Sequence, residues 1–85
     1  MTVNTIANGD RFVAFAKRIE RSASVRRAVD MALLSSKAEY AVRMLNGGVA
    51  KSLGEKFNVY KVYKTGYKVS AADDNGGYIC FSVRF

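Results

Sequence analysis

The segment VYKVYKTGYKV, residues 59–69, sets a tyrosine beside a lysine three times, as Tyr60-Lys61, Tyr63-Lys64 and Tyr67-Lys68. From Lys56 to Ala72 the chain carries no acid. Ammonium groups neutralise phosphates and release their counterions, while tyrosine rings stack on bases or pack against sugars. The pattern therefore points to a surface for a polyanion; an amphipathic strand with solvated lysines is the plainer alternative. The candidate nucleic-acid-binding residues are Lys51, Lys56, Tyr60, Lys61, Tyr63, Lys64 and Lys68.

Little else in the chain is equipped for chemistry. There is no histidine, which removes the commonest general base, the usual triads and most transition-metal sites. The expectation is a protein that is not an enzyme and takes no cofactor or metal. Asp73-Asp74 sits in DDNGG, where aspartates serve local backbone hydrogen bonds, and that stretch lacks the remaining ligand positions of a calcium loop. Cys80, the single cysteine, has no dithiol partner and is expected to pack on the hairpin face opposite Ile79 and Phe81. LNGGVAKSLG has glycines but no lysine-serine or lysine-threonine ending, so it does not make a phosphate-cradling loop.

The elements that must position the Tyr-Lys stretch fall into two halves. Phe12, Phe15, Ala16 and Ile19 recur at i, i+3, i+4 and i+7, which predicts a helix over residues 10–21 with Asn8 or Asp10 as its cap. Ser22 or Ser24 restarts the pattern, and Val25, Ala28, Val29, Ala32 and Leu33 give a second apolar stripe ending near Leu34. SKAE, residues 36–39, has capping-box spacing; Ala38, Ala41, Val42 and Leu45 follow as a third inner face, and the glycines of NGG are expected to stop that helix. Val49, Ala50, Leu53 and Phe57 repeat at helical spacing, so a short fourth helix to about Phe57 is expected before a strand beginning at residue 58, although Tyr60, Tyr63 and Tyr67 also fit helical spacing and leave residues 58–64 open to either. Tyr67, Val69 and Ala71 alternate on one face of a strand, Ile79, Phe81, Val83 and Phe85 on one face of the next, and Asp73 to Gly77 forms the turn. The expected class is α+β: three to four helices over residues 8–57, then a small antiparallel hairpin or three-stranded meander over 58–85, in a single small basic domain.

With 85 residues, such a domain buries about 60–65% of the surface its unfolded chain exposes, too little for a large enzymatic cleft. The formal charge is +7, from 14 basic and 7 acidic residues, and the excess is spread over both halves. That balance favours nucleic acid, an anionic membrane or an acidic protein as partner. MTVNTIANGD lacks the basic start and apolar run of a signal peptide, no apolar stretch approaches the ~20 residues of a membrane span, and one cysteine makes no internal disulfide. A cytoplasmic location with no membrane partner is the expectation.

The order of helices followed by the hairpin GYKVSAADDNGGYICFSVRF resembles a winged helix-turn-helix domain, and Ala50, Leu53 and Gly54 hold the relative places of the helix-turn-helix pattern, although Tyr60 stands where an aliphatic residue is expected. The resemblance implies that the helix from residue 49 onward enters a DNA major groove, bringing Lys51, Lys56, Lys61 and Lys64 near phosphates or base edges. The function expected is thus nucleic-acid binding, DNA in particular, possessing a regulatory character. The alternative is a small basic module that inhibits or adapts an acidic protein partner, a class typical of phage and mobile-element accessory proteins.

Overall fold

The computed structural model describes residues 1–85. A strand β1 (Thr2–Asn8) comes first, then helices α1 (Asp10–Arg21), α2 (Ala23–Leu33) and α3 (Ala38–Met44). Strands β2 (Asn58–Tyr63), β3 (Gly66–Ala72) and β4 (Tyr78–Arg84) complete an antiparallel sheet of order β1-β4-β3-β2. The helices cover one face. The α+β class and the hairpin β3–β4 are as the sequence predicts, whereas the order and the number of elements differ from it.

The helix stripes behave as their spacing dictates. Phe12, Phe15 and Ile19 of α1, Val29, Ala32 and Leu33 of α2, and Ala38, Ala41 and Leu45 at α3 are buried in one core with Tyr67, Val69, Ala71, Ile79, Phe81 and Val83 of the sheet. Each large aliphatic or aromatic side chain so buried contributes about 1.5–3 kcal/mol. Ser22 caps α2 by accepting from the Val25 N–H at 3.4 Å, satisfying one of the donors that a helix start leaves free. Tyr67 is the one phenol in the core, and its hydroxyl donates to the Leu33 carbonyl at 2.9 Å, so the polar tip is satisfied where α2 ends.

Four sequence expectations are corrected. Residues 2–8 form an edge strand in which Val3, Thr5 and Ala7 pair with Val83, Phe81 and Ile79, so Asn8, expected with Asp10 as a possible cap of α1, ends that strand, and Gly9 holds the cap position. The alternation is hard to read because Val3 and Ile6 sit on opposite faces, and the burial that fixes the strand comes from β4. Ser36 does not cap α3; Lys37 holds the cap position, and the Ser35 hydroxyl accepts from the Lys37 N–H at 3.1 Å. The glycines of NGG do not stop the helix. It widens into a π-helical turn over Leu45–Val49 and tightens into a 3₁₀ turn over Ala50–Leu53, and the helical run stops instead at Gly54, whose φ of 68° is the left-handed conformation that glycine adopts without strain.

The fourth correction follows from the third: no helix runs to Phe57. The 3₁₀ turn is four residues long, and Phe57 lies in an extended link, buried and stacked on Phe81 with ring centroids 5.5 Å apart. The helix from residue 49 that the winged resemblance implies is therefore absent, and β1 adds a strand that the resemblance does not contain.

Candidate nucleic-acid interface

Because the helices pack on one side only, the other face of the sheet is open. Strand alternation and register place on it Thr2, Asn4, Ile6 and Asn8 of β1, Arg84, Ser82, Cys80 and Tyr78 of β4, and Gly66, Lys68, Ser70 and Ala72 of β3. No acid stands among them. Strand β2 joins this face through a bulge: Val59 pairs with Val69, but the next paired residue is Lys61, opposite Lys68. Tyr60 is the extra residue, and it reverses the alternation beyond it. Without the bulge Lys61 would share the helix-facing side with Val59; with it, Lys61 and Tyr63 join the open face and Val62 turns to the other.

Lys61 and Lys68 are thus direct cross-strand neighbours, an arrangement of like charges that weakens a sheet. Both ammonium groups lie over the ring of Tyr63, at 5.2 Å and 5.8 Å from its centroid. The ring's negative face offsets part of that repulsion by cation–π attraction, about 0.5–1 kcal/mol for each exposed contact. Tyr63 keeps 41% of its surface exposed. Beside it is Gly66, where a Cβ would run into the Val83 carbonyl, and across Gly66 stands Arg84. The backbones approach too closely at Gly66 for a side chain, so none stands between Tyr63 and Arg84.

Charge is graded along this face. Lys61, Lys64, Lys68 and Arg84 cluster toward the β2–β3 turn, while Asp73 and Asp74 occupy the opposite end in the β3–β4 turn. Asp73 is engaged locally, as the turn chemistry predicts: its Oδ1 accepts from the N–H groups of Asn75 and Gly77, both at 2.9 Å. Arg11 spans Glu55 at 3.1 Å and Asp73 at 3.3 Å, which compensates acid on the helical side of that end.

The structure brings together Lys61, Tyr63 and Lys68 of the seven sequence candidates. Lys64 lies in the adjoining turn, and Tyr60, 67% exposed, projects from the bulge at the sheet edge. Lys56 is in the link before β2, and Lys51 lies in the 3₁₀ turn of the helical layer, away from the sheet face. Arg84 was missed. Its signal was present, since the alternation that turns Ile79, Phe81 and Val83 inward turns Arg84 outward. Cys80 lies on the open face, half-buried between strands, and burial raises its thiol pKa against the partly opposing charge of Lys68.

Comparison with protein-family models, with curated proteins and with solved structures finds no match to this chain. No helix is long and apolar enough to cross a membrane.

Proposed function

We propose that this protein binds single-stranded nucleic acid on the open face of its sheet. The observation that carries the reading is the Lys61–Lys68 pair across the Tyr63 ring. Two like charges held opposite each other cost stability in the free protein, and a phosphate chain laid across them removes that cost. Lys61, Lys68 and Arg84 neutralise phosphates in this arrangement. Tyr63 supplies a stacking surface once the flexible ammonium groups move from its ring to the phosphates, and Asn4, Ser82 and Ser70 offer hydrogen-bonding groups beside them.

A single strand suits this surface better than a duplex. An open, shallow face with an exposed ring engages unstacked bases, whereas duplex DNA is read by an element that enters a groove. The four-residue turn at Ala50–Leu53 is too short to serve as a recognition helix, so the groove-docking mode implied by the winged resemblance has less support than the sheet.

Fluorescence anisotropy with mixed-sequence DNA and RNA oligonucleotides, single-stranded and duplex, at about 50 mM salt tests the reading. Single strands are expected to bind at least about tenfold more tightly than the matching duplex. Duplex preference, or no binding to any of them, contradicts it.

A further inference from the structure

On the side of the molecule opposite the proposed nucleic-acid face, the helical layer is cleft. An open groove of about 840 Å³ runs between α1 and α2 on one flank and the π-helical and 3₁₀ turns on the other. Phe15 and Val25 contribute its floor, and Met31 and Met44 stand on its two walls. Met31 is 62% exposed and Met44 43% exposed. At Gly47 and Gly48 an added Cβ would meet nothing within 4 Å, so the missing side chains open the groove rather than permit tight packing inside the protein. The departure from a regular helix at Leu45–Val49 coincides with this wall, as π-helical turns often do with functional surfaces.

The electrostatics of the groove are one-sided. Arg18 and Lys51 are its only charged lining residues, and no carboxylate lines it. Arg18 is held in place from the 3₁₀ turn, its Nη1 donating to Ser52 Oγ at 3.3 Å. The acid of α2, Asp30, is turned to Arg26 on its own helix at 3.4 Å.

We propose that this groove is a docking site for an amphipathic helix of an acidic partner protein. Methionine walls adapt to an aliphatic ridge, and an open apolar groove between helical elements accepts anchors at i, i+3 or i+4 and i+7. The glycines let the incoming backbone approach closely, and Arg18 and Lys51 select carboxylates flanking the ridge. Charge complementarity also decides against a second copy of this chain, because its exposed helix faces are rich in arginine and lysine and its net charge is +7. Nucleic acid is disfavoured by the apolar lining. The site rests on residues separate from Lys61, Tyr63, Lys68 and Arg84, so both surfaces can be occupied at once and the protein would link a nucleic acid to a protein.

The test is a titration of the ¹⁵N-labelled full chain, followed by NMR, with a synthetic helical peptide of about 14 residues carrying a leucine ridge flanked by glutamates. A second peptide replaces every glutamate by lysine. The expected result is a set of shifts centred on Gly47, Gly48, Met31 and Met44, with the glutamate peptide binding at least about tenfold more tightly than the lysine peptide. The variant Met31→Lys/Met44→Lys changes exposed residues, keeps its spectrum dispersed and is expected to lose about tenfold or more in affinity. Lys61→Ala/Lys68→Ala is expected to bind the peptide as the parent does. Equal affinity for the two peptides, shifts confined to the sheet face, or no binding overturns the proposal. So does sedimentation showing a dimer that Met31→Lys/Met44→Lys dissociates, since a second copy would then cover the groove.

Discussion

The side chain of Asn46 hydrogen-bonds both main-chain polar groups of Phe57: its Nδ2 donates to the Phe57 carbonyl at 3.0 Å, and its Oδ1 accepts from the Phe57 N–H at 2.8 Å. One amide thus does for the entry to β2 what a neighbouring strand would do. It ties the π-helical turn to the residue that stacks on Phe81, and so sets where the bulged edge strand begins. Asn46→Ala leaves both partners unpaired in a half-buried site and is expected to cost about 1–3 kcal/mol. In thermal denaturation that is a fall of several degrees, about 4–8 °C per kcal/mol for a domain of this size. Asn46→Asp keeps the acceptor and loses the donor, and is expected to fall between. An unchanged melting temperature for Asn46→Ala would show that β2 is positioned by other contacts.

Phe81 is fully buried at the centre of the sheet and stacks on Phe57. Phe81→Ala is expected to cost about 3–5 kcal/mol through lost transfer energy and the cavity left behind. That is a large part of the stability of a small domain. Chemical denaturation followed by circular dichroism checks it; a loss below about 1 kcal/mol would be incompatible with the packing described.

Tyr67 gives the fold a dependence on alkaline pH. Burial raises its phenol pKa above the ordinary value, because the ionised ring would lose water around its charge. The unfolded chain therefore releases this proton first. The contribution is fully present below about pH 10, the unfolded value, and is lost as the pH rises above it. Tyr67→Phe removes the hydroxyl bond to Leu33, is expected to cost about 1 kcal/mol at neutral pH, and flattens this alkaline fall. Urea midpoints of parent and variant measured from pH 8 to about 11 separate the two effects. Parallel curves for the two proteins would contradict the assignment.

Much of the core was legible in the sequence, because Phe12, Phe15 and Ile19, Val29 and Leu33, and Ile79, Phe81 and Val83 obey the period of their elements. Where local signals conflicted with tertiary contacts, the contacts prevailed. Gly47 and Gly48 carry a stop signal, yet Leu45 and Ala50 on either side are buried and Asn46 is pinned to Phe57, so the helix is carried through as a wider turn. Strand β1 has weak alternation and exists because β4 presents it an unpaired edge. The Tyr-Lys stretch was recognisable as a polyanion candidate, but which lysine meets which was not. Regular alternation places Lys61 with Val59, and only the bulge at Tyr60 brings Lys61 opposite Lys68.

The central claim is that Lys61 and Lys68 hold the backbone of a bound strand, and the salt dependence of single-strand affinity measures this most directly. Each lost phosphate contact lowers the log–log slope by about 0.7 for single-stranded nucleic acid. Lys61→Ala/Lys68→Ala should therefore bind every sequence more weakly, with a slope shallower by about 1.4, while its melting temperature holds or rises as the like-charge repulsion is relieved. A variant that binds single strands with the affinity and slope of the parent would contradict the account.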